Sequence, residues 1–138
     1  MADKRTMSNG QLFGIVAEEL ERGNSTKVSV LGRSMRPFFR SGQIIVLRPM
    51  IAEELRIGSV VLARIAPDHY AVHRIIEIDS KGVTLMGDGN VVGRERVRQE
   101  DIYGYVECSP RHRRWARLWR KLLPVRRYLL AIIALFES

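Results

Sequence analysis

Between Lys27 and Gly87 the chain repeats one pattern: a short apolar run rich in β-branched residues, then a turn. "KVSVL", "QIIVLR", "SVVLARI", "YAVHRIIEI" and "GVTLMG" are the runs, and Gly, Pro, Asp and Ser punctuate them. Runs this short bury little as helices, but they suit strands that present side chains to alternate faces. "APDHY" and "DSKG" supply tight turns, so residues 59 to 87 are predicted to form a three-stranded antiparallel meander. That spacing restricts the body of the chain to a small, strand-dominated fold.

Helical signals lie only at the two ends. Ser8 or Asn9 can cap a short amphipathic helix over residues 8 to 22, in which Leu12, Val16 and Leu20 share a face and Gly23-Asn24 stops the chain. At the other end Ser109-Pro110 is a helix opening, with serine as cap and proline in the first turn. Trp115, Leu118, Trp119 and Leu122 follow at helical spacing. Pro124 then interrupts, and "YLLAIIALF" comes after it. A bilayer-spanning helix needs about 20 apolar residues, so this stretch does not span by itself. The division expected is a lead-in helix over 1–27, a strand-rich domain over 28–108, and a basic helical tail over 109–138.

Charge sharpens that division. Of the 23 basic residues, eight fall between Ser109 and Tyr128 with no acid among them, and the other 15 balance the chain's 15 acids. The net charge of +8 therefore belongs to the tail. A basic amphipathic helix carrying tryptophans suits an anionic membrane surface, with Arg113, Trp115, Arg117, Trp119 and Arg120 as its contacts. The alternative is a helix whose Trp/Leu face packs on the domain while its arginines are solvated. Nucleic-acid binding through these charges lacks an accompanying reading element. The N-terminal "MADKRTMSNGQL" is polar and unlike a secretory signal. Cys108 is the single cysteine, so no internal disulfide forms. A cytoplasmic location is expected, with the tail peripheral at the inner membrane face. No Cys or His cluster suggests a metal, and no cofactor is expected.

Three residues could carry chemistry. In "GRSMRPFF" Ser34 stands between arginines, with Gly32 before it and Met35 and Pro37 after it. A serine there is ordinarily a turn residue, yet a nucleophilic serine needs this kind of constrained backbone together with a base. His73 lies within a strand run, and imidazole is the side chain best matched to accept a serine proton near neutral pH. Asp88, between two glycines in "LMGDGN", either makes a turn or orients His73 as the acid of a triad.

Taken in order, "GRSMRPFFRSGQIIVL", "GSVVLAR", "YAVHRIIEID", "GVTLMGDGN" and "DIYGYV" resemble the boxes of the S24/S26 serine peptidases. That superfamily holds the signal peptidases and the self-cleaving LexA-type repressors, and the likeness runs from about Val28 to Val106. It implies a mainly β, coiled-sheet domain, here with an N-terminal helix and a C-terminal helical tail. It implies Ser34 as nucleophile, and His73 in place of the lysine of the bacterial signal peptidases, as in the archaeal and endoplasmic-reticulum enzymes. Asp88 is implied as the orienting acid, Gly32 and the Ser34 N–H as oxyanion support, and Met35 and Pro37 as substrate contacts. Gly32 departs from the hydroxyl residue common at that position in bacterial signal peptidases. A further acid that follows the Gly-Asp box in the histidine type has Glu95 and Asp101 as its candidates, and neither is assigned.

The expected function is a serine endopeptidase acting on a peptide, a leader or a protein. The competing readings are a non-catalytic regulatory or interaction module that keeps the fold, and a signal peptidase attached by its C-terminal segment.

Overall fold

The computed structural model describes residues 9–29, 35, 38, 39, 42–89 and 93–137, without the side chains of residues 9, 10, 136 and 137. Helix α1 (Asn9–Glu21) precedes seven strands, β1 (Thr26–Ser29), β2 (Ile44–Pro49), β3 (Val60–Ala66), β4 (His69–Asp79), β5 (Gly82–Met86), β6 (Glu95–Val97) and β7 (Ile102–Val106). Helices α2 (Pro110–Lys121) and α3 (Arg126–Glu137) close the chain. The β-rich fold expected from the runs is the fold observed, and the five runs supply β1 to β5.

All seven strands form one antiparallel sheet in the order β1-β2-β7-β3-β4-β5-β6. The meander β3-β4-β5 is made locally. In its second turn Asp79 Oδ1 accepts hydrogen bonds from the N–H groups of Lys81 and Gly82, at 2.8 and 3.1 Å, an aspartate turn that brings the chain back on itself. The insertion of β7 between β2 and β3 is a long-range event that no local signal announces.

Alternation along the strands creates two cores. Val60, Leu62, Leu47 and Val106 point to the face covered by α1, whose Phe13, Val16 and Leu20 pack there with Met35 and Phe39. Val61, Ala63, Ile75, Leu85 and Val97 point to the other face. The sheet coils over this second face until β6 touches β3, although β4 and β5 lie between them in the sheet. Two glycines permit the close fit at α1. Gly23 adopts φ +90° and its N–H bonds to the Leu20 carbonyl, ending the helix. A Cβ on Gly104 would lie 2.5 Å from the Arg48 carbonyl oxygen and 2.8 Å from Leu20 Cδ1, so any side chain there would clash with the β2 backbone and displace the Leu20 side chain.

The tail differs from its expected pattern. Ser109 caps α2 as expected, its Oγ accepting from the His112 N–H at 3.1 Å. The face turned to the domain, however, is His112, Ala116 and Trp119, at i, i+4 and i+7, while Trp115 and Leu118 remain exposed. The expected Trp115/Leu118/Trp119/Leu122 stripe is thus divided between domain and solvent. Arg126, the first residue of α3, is buried against Trp119, with its Cζ 5.3 Å from the indole centroid.

Candidate active site

His73 is placed by the register of the hairpin β3-β4. It pairs with Val61 and so points to the coiled face, whereas Arg74 pairs with Val60 and points to the α1 side. On β6, Glu95 pairs with Leu85, a residue of that same coiled-face core. The coil of the sheet therefore brings the two together: Glu95 Oε1 lies 2.5 Å from His73 Nδ1. His73 is only 8% exposed and Glu95 is half-buried. In this partly desolvated setting the carboxylate accepts a hydrogen bond from Nδ1–H, which fixes the ring and leaves Nε2 as the basic nitrogen.

Asp88 was expected on His73, but the structure assigns it a different partner. Its carboxylate receives a two-pronged bond from Arg74, Nε to Oδ1 at 2.8 Å and a terminal nitrogen to Oδ2 at 2.6 Å, with both side chains buried. The reason is alternation, because the neighbour of His73 faces away from it, and Asp88 lies on the neighbour's side. Arg74 also donates to the Gly58 carbonyl at 2.7 Å, and its guanidinium sits 5.3 Å from the Phe38 ring centroid. Asp101, the other acid considered after the Gly-Asp box, pairs with Arg64 at 3.5 Å. Glu95 thus stands where the sequence reading left the acid unassigned. No local signal marked it, because only the pairing of β6 with β5, which sets Glu95 opposite Leu85, puts it on the face of Ile75 and His73.

Ser34, Gly32 and Pro37 lie outside the described residues. Met35, the residue after Ser34, is described, and it is not exposed for a substrate as expected. At 1% exposure it fills the α1-side core, and its Sδ accepts the Asp88 N–H at 3.4 Å. The N–H groups of Phe38 and Phe39 both bond to the Met35 carbonyl at 3.0 Å. The chain just beyond Ser34 is therefore tied to Asp88, and Asp88 is tied to the neighbour of His73.

Helix α2 completes this scaffold. Trp119 Nε1–H donates to the Asp88 carbonyl at 2.7 Å. Trp119 is 7% exposed, so it braces the domain and is not a membrane contact as expected. His112 packs against Phe38 and Phe39, at 4.9 and 5.1 Å between ring centroids, and its Nε2 lies 3.0 Å from an Arg74 nitrogen. Burial, then the nearby charges of Arg74 and Arg113, lower its pKa to about 4, so the neutral ring accepts from Arg74. Arg113 reaches both oxygens of the buried Glu54, at 2.6 and 2.9 Å, where Ser59 also donates. Cys108 is half-buried and burial raises its thiol pKa, which keeps it protonated. Among the described residues no group of three or more His, Cys, Asp or Glu is placed to hold a metal ion.

The family model described as Peptidase S24-like matches residues 6–106. A comparison with curated proteins gave no match.

Proposed function

From the premise that the chain belongs to the Peptidase S24-like family, we propose that it is a serine endopeptidase of the histidine type, with Ser34 as nucleophile, His73 as general base and Glu95 as the acid that orients the base. The observation that carries this reading is the His73–Glu95 pair. A buried strand histidine held through Nδ1 by a carboxylate presents Nε2, the arrangement a serine nucleophile requires.

In the proposed reaction Nε2 takes the Ser34 proton as Oγ attacks a peptide carbonyl. The tetrahedral intermediate collapses to an acyl-enzyme, and the imidazolium protonates the departing amine. Water, deprotonated by the same nitrogen, then releases the acid and restores Ser34. Glu95 stabilises the imidazolium in both halves. Backbone N–H groups at Gly32 and Ser34 supply the oxyanion donors. Asp88 and Arg74 act as a clamp: they tie Met35, and with it the nucleophile's segment, to the strand that carries His73.

The experiment compares new peptide N-termini in cell lysate treated with the wild-type chain, Ser34→Ala or Glu95→Gln. The reading expects termini generated by the wild type, absent with Ser34→Ala and strongly reduced with Glu95→Gln. Equal termini from folded wild type and folded Ser34→Ala would overturn it and favour the non-catalytic module.

A further inference from the structure

Helix α2 turns one side to the domain and is also tied to it by Arg113 through Glu54, while most of its remaining surface faces outward. At 3.6 residues per turn, His112, Ala116 and Trp119 turn inward, which leaves two flanks and an outer edge. On one flank Arg111, Arg114, Trp115 and Leu118 line a shallow surface depression. On the other, Arg113, Arg117 and Arg120 line a second depression with Arg56 and the exposed Ile57. Trp115 is 56% exposed. Helix α3 continues the apolar character outward, with Tyr128, Ile132 and Leu135 exposed at i, i+4 and i+7. No acid occurs from Ser109 to Phe136.

We propose that α2 and α3 form a docking surface for a bilayer containing anionic phospholipid. Charge complementarity selects this occupant. Exposed apolar side chains set among arginines, with no acid in the segment, match the acyl boundary and the phosphate layer of an anionic leaflet. Trp115 and the α3 stripe would enter the interface, and Arg117 and Arg120 would meet headgroup phosphates. A second copy of this chain would bring the same excess of positive charge to the contact, which opposes self-association through these helices. Among the described residues no helix is long and apolar enough to cross a membrane, so the mode is surface docking. Because α2 also holds Asp88 and Phe38, the bilayer would lie against the back of the scaffold described above. The inference does not depend on catalysis.

The test uses the full chain carrying Ser34→Ala, which removes the proposed chemistry, in sedimentation with phosphatidylcholine vesicles that contain or lack phosphatidylserine. Binding to the anionic vesicles should exceed binding to the neutral ones by about tenfold or more and should weaken with added salt. Trp115→Ala with Leu118→Ala, and separately Arg117→Glu with Arg120→Glu, should each lower it by about tenfold. All four positions are at least partly exposed, so circular dichroism should show both variants folded. Equal binding to neutral and anionic vesicles, or no binding to either, would overturn the proposal. So would lipid-free sedimentation that shows a dimer lost on Trp115→Ala with Leu118→Ala, since the surface would then serve a second copy.

Discussion

Glu95 Oε1 lies 2.5 Å from His73 Nδ1 on the coiled face of the sheet, while on the opposite face Asp88 is occupied by Arg74 through both carboxylate oxygens. Two acids that sequence alone offers as partners for one histidine thus have separate partners, His73 for Glu95 and Arg74 for Asp88.

Glu95→Gln should preserve fold while removing the negative charge, and one of the two acceptor oxygens, that would orient His73. Peptidase activity should fall by about 10⁴-fold, as when the acid of a triad is replaced by its amide, with the urea midpoint almost unchanged. Glu95→Asp should recover part of the rate. A full-rate Glu95→Gln enzyme would remove Glu95 from the mechanism.

Asp88→Asn should behave in the opposite way. It leaves the Arg74 guanidinium buried without its counter-charge, a loss of about 3–5 kcal/mol. Equilibrium urea unfolding measures this directly, and a loss below about 1 kcal/mol would show that Arg74 has found another partner.

Trp119 and Trp115 should be distinguishable by fluorescence. With Trp115→Phe the remaining indole is Trp119, buried and bonded to the Asp88 carbonyl, and its emission should resist acrylamide quenching. With Trp119→Phe the remaining indole should quench readily. Trp119→Ala should cost about 3–5 kcal/mol and lower activity with it, because Asp88 and Phe38 lose their support.

His112 predicts a pH dependence of stability. Its folded pKa, about 4, lies below the ordinary value of 6.5 because burial and Arg74 disfavour the charged ring. Between those values the unfolded chain binds more protons than the folded one, so stability rises with pH across this window. Stability should be complete above about pH 6.5 and decline as pH falls toward 4. His112→Gln keeps an acceptor for Arg74 without titrating, so its melting temperature should decline less than the wild type's from pH 7 to 5. Equal declines in the two proteins would sever His112 from the effect.

Helices α1 and α2 and strands β1 to β5 were legible because their causes are local. Alternating β-branched runs, the Asp79 turn, the Gly23 stop and the Ser109 cap each act within a few residues. His73 was legible as a strand residue for the same reason, from its own run.

The carboxylate beside His73 was not legible, because that pairing depends on contacts made far along the chain. His73 and Arg74 differ in face by one step of a strand, and only the register of β4 against β3 and β5 decides which of them meets Asp88. Only the coil of the sheet brings β6 round so that Glu95, 22 residues from His73, reaches the ring. The tail shows the same division. Composition determined a basic amphipathic helix, but packing against Phe38 and Asp88 decided that Trp119 turns inward while Trp115 remains outside. Sequence by itself determines which residues can form strands, caps and charged surfaces, because backbone sterics and hydrophobic alternation are local. The partner of each buried charge was decided by tertiary structure, because desolvation and pairing depend on what the folded chain places within hydrogen-bond reach.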